Sequence, residues 1–364
     1  MKKKKILYGV CGIGNGHMHR QLPLIEYFSR DYQIVIFAYD TSFHFYRDHF
    51  KDYPFVTVLE VAVPFYVGSR TGIDFEATKK LLSNKKDYEG INGRAITITE
   101  QILGVPDLVI TDYEPISASY AYSHQVPLVT IDQQSKYLAG EFPTELHGQT
   151  YADEVARLKM FFPTATARIA CSFFDVKKKK DGDEVQMFPP ILREEIFQMK
   201  NIITPHASLL VYLSSQKEFH QDLEEIFLIC SRMQHIDFHI FSPQSTKAPL
   251  ASNVHVYVHG DRAFGRILKN CAGIVATAGH TLLSEAMHLS IPVYAIPLAV
   301  YEQQMNAEVI DKNGFGVRSE TINEESLNYF IAHLSHFRDA IKKDRTVLLR
   351  GNGKEKIIAF LQGL

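Results

Sequence analysis

Short apolar runs alternate with longer amphipathic stretches along the whole chain. ILYGVC (6–11), QIVIFAY (33–39), VTVLEVAV (56–63), DLVIT (107–111) and PLVTID (127–132) are apolar on consecutive or nearly consecutive residues. Strands buried on both faces of a parallel sheet have this pattern. Between them, 19–30 carries Leu22, Ile25 and Phe28 near helical spacing, and 74–86, 94–103 and 115–124 predict further helices. A second series follows, with strands predicted at 208–214, 237–242, 253–258, 273–277 and 292–297. Its helices are predicted at 218–233, 262–270, 281–288 and 303–312. Such alternation predicts mostly parallel sheets covered by helices on both faces. Between the series lies KKKKDGDEVQMFPPILREEI (177–196), whose charges, glycine and Pro189–Pro190 pair suit a linker. The expected architecture is thus two α/β domains facing each other. Their cleft would lie at the carboxyl ends of the strands, where open α/β sheets bind ligands.

Composition narrows this picture without redirecting it. The 364 residues suffice for two domains of ordinary size, and 46% hydrophobic with 22% charged residues suits a globular protein with a substantial core. A net charge of −2 gives no argument for nucleic-acid binding. Cys11, Cys171, Cys230 and Cys271 are scattered, with no C-x-x-C pair, so neither a zinc knuckle nor a disulfide framework is expected. No apolar run reaches the roughly 18–20 residues of a membrane span. The lysines at 2–5 run straight into strand-like sequence, unlike a signal peptide. A cytoplasmic location is the expectation.

Two stretches carry candidate chemistry. In KKILYGVCGIGNGHMHR, Gly12, Gly14 and Gly16 follow a predicted strand, where a dinucleotide-binding protein carries G-x-G-x-x-G, but the last position is His17. The third glycine of that fingerprint lets the helix pack under a pyrophosphate, and an imidazole would crowd it. The glycines still allow a tight turn with positive φ and close backbone approach, so His17 is expected to point into the cleft. Histidine titrates near neutrality and suits general-base work; the alternative is a capping or core histidine. Asp112 and Glu114, in ITDYEPISA, and Asp132, in VTIDQQS, follow predicted strands. They could hold acceptor hydroxyls, orient His17 or act as base. Asp112 or Glu114 could equally cap the helix starting near Pro115.

The second stretch is GIVATAGHTLLSEAMHLSIPVYAIPLAVYEQQMNAEVI. A strand ends at Thr277, Ala278-Gly279 turns, and a helix opens at His280-Thr281. Free N–H groups and the helix dipole make such a turn a phosphate site. His280 adds a donor and Thr281 a hydroxyl, and Glu285 could accept from a ribose diol. The loop after Pro297 delivers Glu302, Gln303, Gln304 and Asn306, suited to sugar hydroxyls.

This array resembles the donor-sugar signature of GT-B glycosyltransferases, in particular the MurG-type family 28 and the family 1 UDP-glycosyltransferases. It is carried by Ala278-Gly279-His280-Thr281-Leu282-Leu283-Ser284-Glu285, then 292–297, then Gln303-Gln304-Met305-Asn306-Ala307. Gly12–His17 is similar to the N-terminal glycine loop of the MurG group. Leu213-Ser214-Ser215-Gln216 resembles the family's phosphate loop, with Ser215 a donor contact, although Lys217 replaces the expected glycine.

The resemblance implies an α/β GT-B fold of two Rossmann-like, doubly wound domains. They would be an acceptor-binding domain at 1–187 and a donor-binding domain at 188–350, with 351–364 a helix packing back on the first. It implies transfer of a sugar from a nucleotide diphosphate sugar, UDP-linked by preference, to an acceptor hydroxyl. His17 would be the base, the anomeric centre would invert, and neither metal nor separate cofactor would be needed. Aromatic and basic residues at Phe65, Tyr66, Arg70, Lys79 and Lys80 could meet a lipid-linked or polysaccharide acceptor. That would suit cell-envelope synthesis with peripheral contact at the inner membrane face.

Rival readings are a UDP-sugar 2-epimerase of the same architecture, an NAD-dependent oxidoreductase using Gly12–Gly16 and Asp40, and a non-catalytic nucleotide-sugar binding protein. Asp181-Gly182-Asp183 spells a D-x-D metal motif but lies in a lysine-rich stretch rather than after a strand. The absence of an E-x7-E pair favours inversion.

Overall fold

A computed structural model describes residues 3–13, 15–63, 67–69, 72–74, 76, 87–202, 207–213, 221–242 and 251–364. Gly14, Ser215 and the five aromatic and basic residues between Phe65 and Lys80 lie outside the described residues, as does most of the helix predicted at 74–86.

Two parallel sheets organise the chain. The first has seven strands in the order Gln186–Phe188, Ala167–Cys171, Leu128–Asp132, Leu108–Asp112, Lys5–Val10, Gln33–Ala38 and Val56–Glu60. The second has six, in the order Val254–Val258, Asp237–Ser242, Ser208–Tyr212, Gly273–Ala276, Val293–Ala295 and Gly316–Arg318. Counted along the chain, each sheet has its first strand between the second and the fourth. This is the doubly wound arrangement, in which the crossovers diverge between strands one and four and leave a crevice at their carboxyl ends. In the first sheet that crevice lies between Val10 and Asp112, which are register partners. In the second it lies beyond Tyr212 and Ala276, also partners.

The apolar runs form these strands because each is covered on both faces. Ile6, Tyr8 and Val10 join one buried cluster, while Leu7 and Cys11 join the cluster on the opposite face. The second sheet is likewise sandwiched, with Leu210 and Ile274 on one side and Leu209, Val211 and Val275 on the other.

Two expectations are corrected. The first helix is Asn15–Phe28, not 19–30. It starts before the last of the glycines, takes Gly16 and His17 into its first turn and buries Arg20 and Gln21 as well as Leu24, Ile25 and Phe28. Next, 177–196 is not a free linker. Gln186–Phe188 is a strand paired with Ala167–Cys171, and Gly182 packs so tightly on Ala139 that a Cβ there would lie 2.9 Å from its carbonyl oxygen. Finally, Gly12 and Gly16 do not use the positive φ that glycine allows at a tight turn. Gly12 is needed because a Cβ would meet the Tyr39 carbonyl oxygen at 2.1 Å, and Gly16 because one would meet Thr281 Oγ1 at 2.9 Å.

The chain crosses between the sheets twice, and the two crossings touch. Asn352 exchanges hydrogen bonds with the backbone of Leu192, and the Gly353 N–H donates to Pro190 O at 2.8 Å. The helix Gly353–Gln362 then buries Ile357, Ile358 and Leu361 against the first sheet's core. A small antiparallel hairpin, Glu145–Leu146 with Gln149–Thr150, lies by the helix Tyr301–Lys312, with His147 3.1 Å from Glu308. Among the described residues no helix is long and apolar enough to cross a membrane.

Candidate active site

The first domain contributes a histidine and a carboxylate from adjacent strand ends. Because Val10 pairs with Asp112, the loop leaving Val10 runs past the Asp112 side chain, and the Cys11 N–H donates to Asp112 O. His17, on the first turn of the helix that follows, places Nδ1 3.0 Å from Asp112 Oδ1. Ninety-five residues separate the two in sequence. Tyr113, next to Asp112, takes φ +58°, unusual for a bulky residue, and stacks its ring 6.4 Å from that of His17.

Two residues that the sequence reading missed complete the cluster. Arg20, one turn beyond His17, directs Nη2 to both Asp112 oxygens at 2.8 Å, and Gln21 donates to Oδ2 at 2.8 Å. Tyr8 donates to Gln21 Oε1 at 2.6 Å, fixing the amide's orientation. Asp112 is fully buried. Burial pushes its carboxyl up, but Arg20, His17 and Gln21 outweigh that and hold it below its ordinary range. Arg20 stands at i+3 from His17, on the same helical face. A helix start drawn at Asn15 would have exposed that spacing.

Arg20 Nη2 also lies 2.9 Å from His17 Nδ1. A guanidinium only donates, so Nδ1 either donates a hydrogen bond to Asp112 or accepts one from Arg20. With the proton on Nδ1 and aimed at Asp112, Nε2 carries the lone pair, the form a base requires.

The other acids are otherwise engaged. Glu114 accepts from the N–H groups of Ile116 and Ser117, both at 2.7 Å, and so caps the helix Pro115–His124. It is buried beneath that helix, and desolvation pushes its carboxyl up to about 7. These contacts are those of the capping alternative for Glu114. Asp132 turns the chain by accepting from Ser135 N–H at 2.6 Å and its hydroxyl at 2.9 Å; burial pushes its carboxyl up to about 6.

In the second domain the helix His280–Leu289 opens at Gly279, at the carboxyl end of Gly273–Ala276. His280 is 5% exposed and its Nε2 has no hydrogen-bond partner among the described residues. Burial, with Lys136, Arg20 and His17 facing it, holds the ring well below its ordinary range, so it is neutral at neutral pH. Glu285 is buried and meets Arg193 from the interdomain crossing at 3.0 Å. Gln303 Oε1 accepts from Leu298 N–H at 2.9 Å, and Gln304 bridges Leu298 O and Arg318. Asn306 is fully buried; its amide donates to Ala278 O at 2.9 Å while its Oδ1 has no hydrogen-bond partner among the described residues. These side chains shape the two loops facing the first domain.

The two domains meet at this place. Thr281 Oγ1 donates to Gly16 O at 3.3 Å, bringing the glycine loop and His17 onto the second domain's helix N-terminus.

Comparison with known proteins agrees with this fold. No curated protein matches the chain significantly. Among solved structures it is similar to the calicheamicin glycosyltransferase, at 18% identity and a TM-score of 0.63, covering 100% of this chain and 98% of that one. It is similar to LpCGTa in complex with UDP, at 13% identity and a TM-score of 0.66, covering 100% and 99%. A Glycyrrhiza uralensis enzyme complexed with glycyrrhetinic acid 3-O-monoglucuronide matches at 15% identity and a TM-score of 0.66, covering 100% and 95%. The glycosyl transferase family 1 model matches residues 4–335. The chain belongs to glycosyl transferase family 1 and is a glycosyltransferase of the GT-B fold, two Rossmann-like domains facing across a cleft.

Proposed function

We propose that the enzyme transfers a sugar from a nucleoside diphosphate sugar, UDP-linked by preference, to an acceptor hydroxyl with inversion. The contact of Thr281 with Gly16 carries this reading, because it puts the His17–Asp112 pair beside the free N–H groups of the helix at His280. His17 Nε2 takes the acceptor's proton while Asp112 holds Nδ1–H and balances the imidazolium that forms. The acceptor oxygen attacks the anomeric carbon from the face opposite the leaving diphosphate, so one displacement inverts the centre. The bond from that carbon to the diphosphate oxygen breaks and its electron pair stays on the phosphate. The helix N-terminus and His280 stabilise that charge without requiring a metal.

Glu285 meets the ribose, and Gln303 and Gln304 position the transferred sugar. Both glutamines keep hydrogen-bonding atoms beyond those used to shape the loop. LpCGTa, a structural neighbour, is described in complex with UDP, which supports that nucleotide as the first to try.

The test is binding and turnover. UDP, dTDP, GDP and NAD are added to the purified enzyme and its thermal unfolding followed. A ligand at 100 times its dissociation constant adds about 2.7 kcal/mol of stability. Stabilisation by a nucleoside diphosphate and not by NAD is expected; the reverse overturns the donor assignment. Product analysis with donor sugar alone separates transfer from epimerisation, which needs no acceptor.

A further inference from the structure

Lys136 is a buried cation outside the mechanism just described. It opens the short helix Lys136–Ala139, just beyond the strand Leu128–Asp132, and none of its surface reaches solvent. Its ammonium has three N–H bonds. One goes to Gln133 Oε1 at 2.9 Å, and the ring faces of Phe174 and Tyr137 lie 4.7 and 5.3 Å from Nζ. Among the described residues no carboxylate comes within salt-bridge distance of it. A buried ammonium with one hydrogen bond, to a neutral amide, and no carboxylate in contact is expensive, since buried charges are ordinarily paired. Burial, opposed most strongly by the charge of Glu302, pushes the amine down to about 8.

Its neighbours place it opposite the second domain's helix terminus. Phe174 stacks edge-on to Phe173 at 5.0 Å, and Phe173 lies 5.6 Å from the His280 ring. On the other side Tyr137 packs edge-on to Tyr301 at 5.6 Å, the residue before Glu302. Lys136 is thus linked through Phe174 and Phe173 to His280, and through Tyr137 to Tyr301. Of all charged groups it acts most strongly on both His280 and Glu302. His280 Nε2, buried and with no hydrogen-bond partner among the described residues, is a second polar atom left open.

We infer that Lys136 is the first domain's ligand for the donor's diphosphate, gripping it from the side opposite the helix at His280. This rests on the donor-site reading above and deepens it, because the anion then ties the two domains together. Lys136 keeps its proton throughout. It donates hydrogen bonds to the phosphate oxygen that receives the electron pair of the breaking bond.

The test compares wild type, Lys136→Met and Lys136→Arg by calorimetric titration with UDP, UMP and inorganic pyrophosphate, beside thermal unfolding of the free proteins. Free Lys136→Met unfolds no earlier than wild type at pH 7, since a flexible apolar chain replaces a buried ammonium. Its UDP affinity falls roughly tenfold to a hundredfold, as loss of a charge-assisted hydrogen bond predicts. UMP affinity falls less, pyrophosphate no longer competes with UDP, and Lys136→Arg recovers part of the loss. Equal UDP affinity in wild type and Lys136→Met overturns the inference, even where a donor bearing an acidic sugar shows a loss. Should Lys136→Met not fold, the lysine is structural and the inference falls, unless Lys136→Gln folds and shows the same loss of UDP. Absence of any nucleoside diphosphate binding by wild type refutes the donor-site reading itself.

Discussion

Arg20 and His17 share one carboxylate: Nη2 of the first lies 2.8 Å from Asp112 Oδ1 and Nδ1 of the second 3.0 Å from the same oxygen. The histidine thus meets an aspartate already paired with a guanidinium. Arg20 offsets the charge of Asp112 and keeps the carboxylate ionised and fixed, while Asp112 orients the ring.

His17→Ala removes the proposed base. General-base catalysis contributes typically 10²–10⁴-fold, and kcat is expected to fall by roughly that factor. The affinity for UDP should change by less than about twofold, since His17 serves the acceptor and not the nucleotide. Steady-state kinetics beside calorimetric titration checks both, and unchanged turnover rules His17 out as base.

Arg20→Met leaves Asp112 buried without its cation. Breaking a buried pair by removing one partner costs about 3–5 kcal/mol, so urea unfolding should show a loss of that order. Adding Asp112→Asn removes the orphaned charge and should return part of the lost stability. A double-mutant cycle among the four proteins measures the coupling; strictly additive losses contradict a direct Arg20–Asp112 interaction.

Glu114→Ala separates cap from catalyst. Loss of an N-cap costs about 0.5–2 kcal/mol, with turnover per folded molecule little changed. A tenfold or greater fall in kcat without a stability change would restore Glu114 to the chemistry. The pH dependence has a definite sign. The Glu114 carboxyl is raised to about 7 in the folded protein from 4.5, so the native state holds the proton more tightly. The stability from this group is fully present below pH 4.5 and is lost as pH rises through 7. In Glu114→Gln that pH-dependent part should disappear, readable as unfolding free energy between pH 4.5 and 7.5.

Gly16→Ala tests the contact between domains. The added methyl meets Thr281 Oγ1 at 2.9 Å, so the loop and helix must separate slightly. Since a 1 Å misplacement of reacting groups can cost about 10²-fold, kcat should fall by about ten- to a hundredfold. Thr281→Ala in the same chain relieves the clash, and the two changes should combine less than additively. Additive effects would mean that the loop and the helix do not touch in the working enzyme.

Much of the fold was legible in the pattern of residues because buried parallel strands are written locally, as short apolar runs between helical stretches. Strands such as Asp237–Ser242 and the helix Pro115–His124 lie where the periodicity puts them. The edge strand Gln186–Phe188 was not legible: it is short, half-buried and set among lysines and prolines. The helix start at Asn15 was hidden by the glycines before it. The resemblance in 278–307 reached the family, since loop and helix residues there are contiguous in sequence.

What the chain alone left open was which acid does what. Asp112 and Glu114 stand two residues apart at one strand end, and sequence treats them alike. Only the sheet register, pairing Val10 with Asp112, turns the first toward His17 and Arg20, while the second folds back on the N–H groups of its own helix. Lys136 escaped notice for the same reason. A lysine beside two glutamines and a serine looks like a solvated turn until the fold buries it against Phe174 and Tyr137. Local periodicity decides which segments become strands and helices; burial and pairing between distant segments decide which polar groups are left to do chemistry.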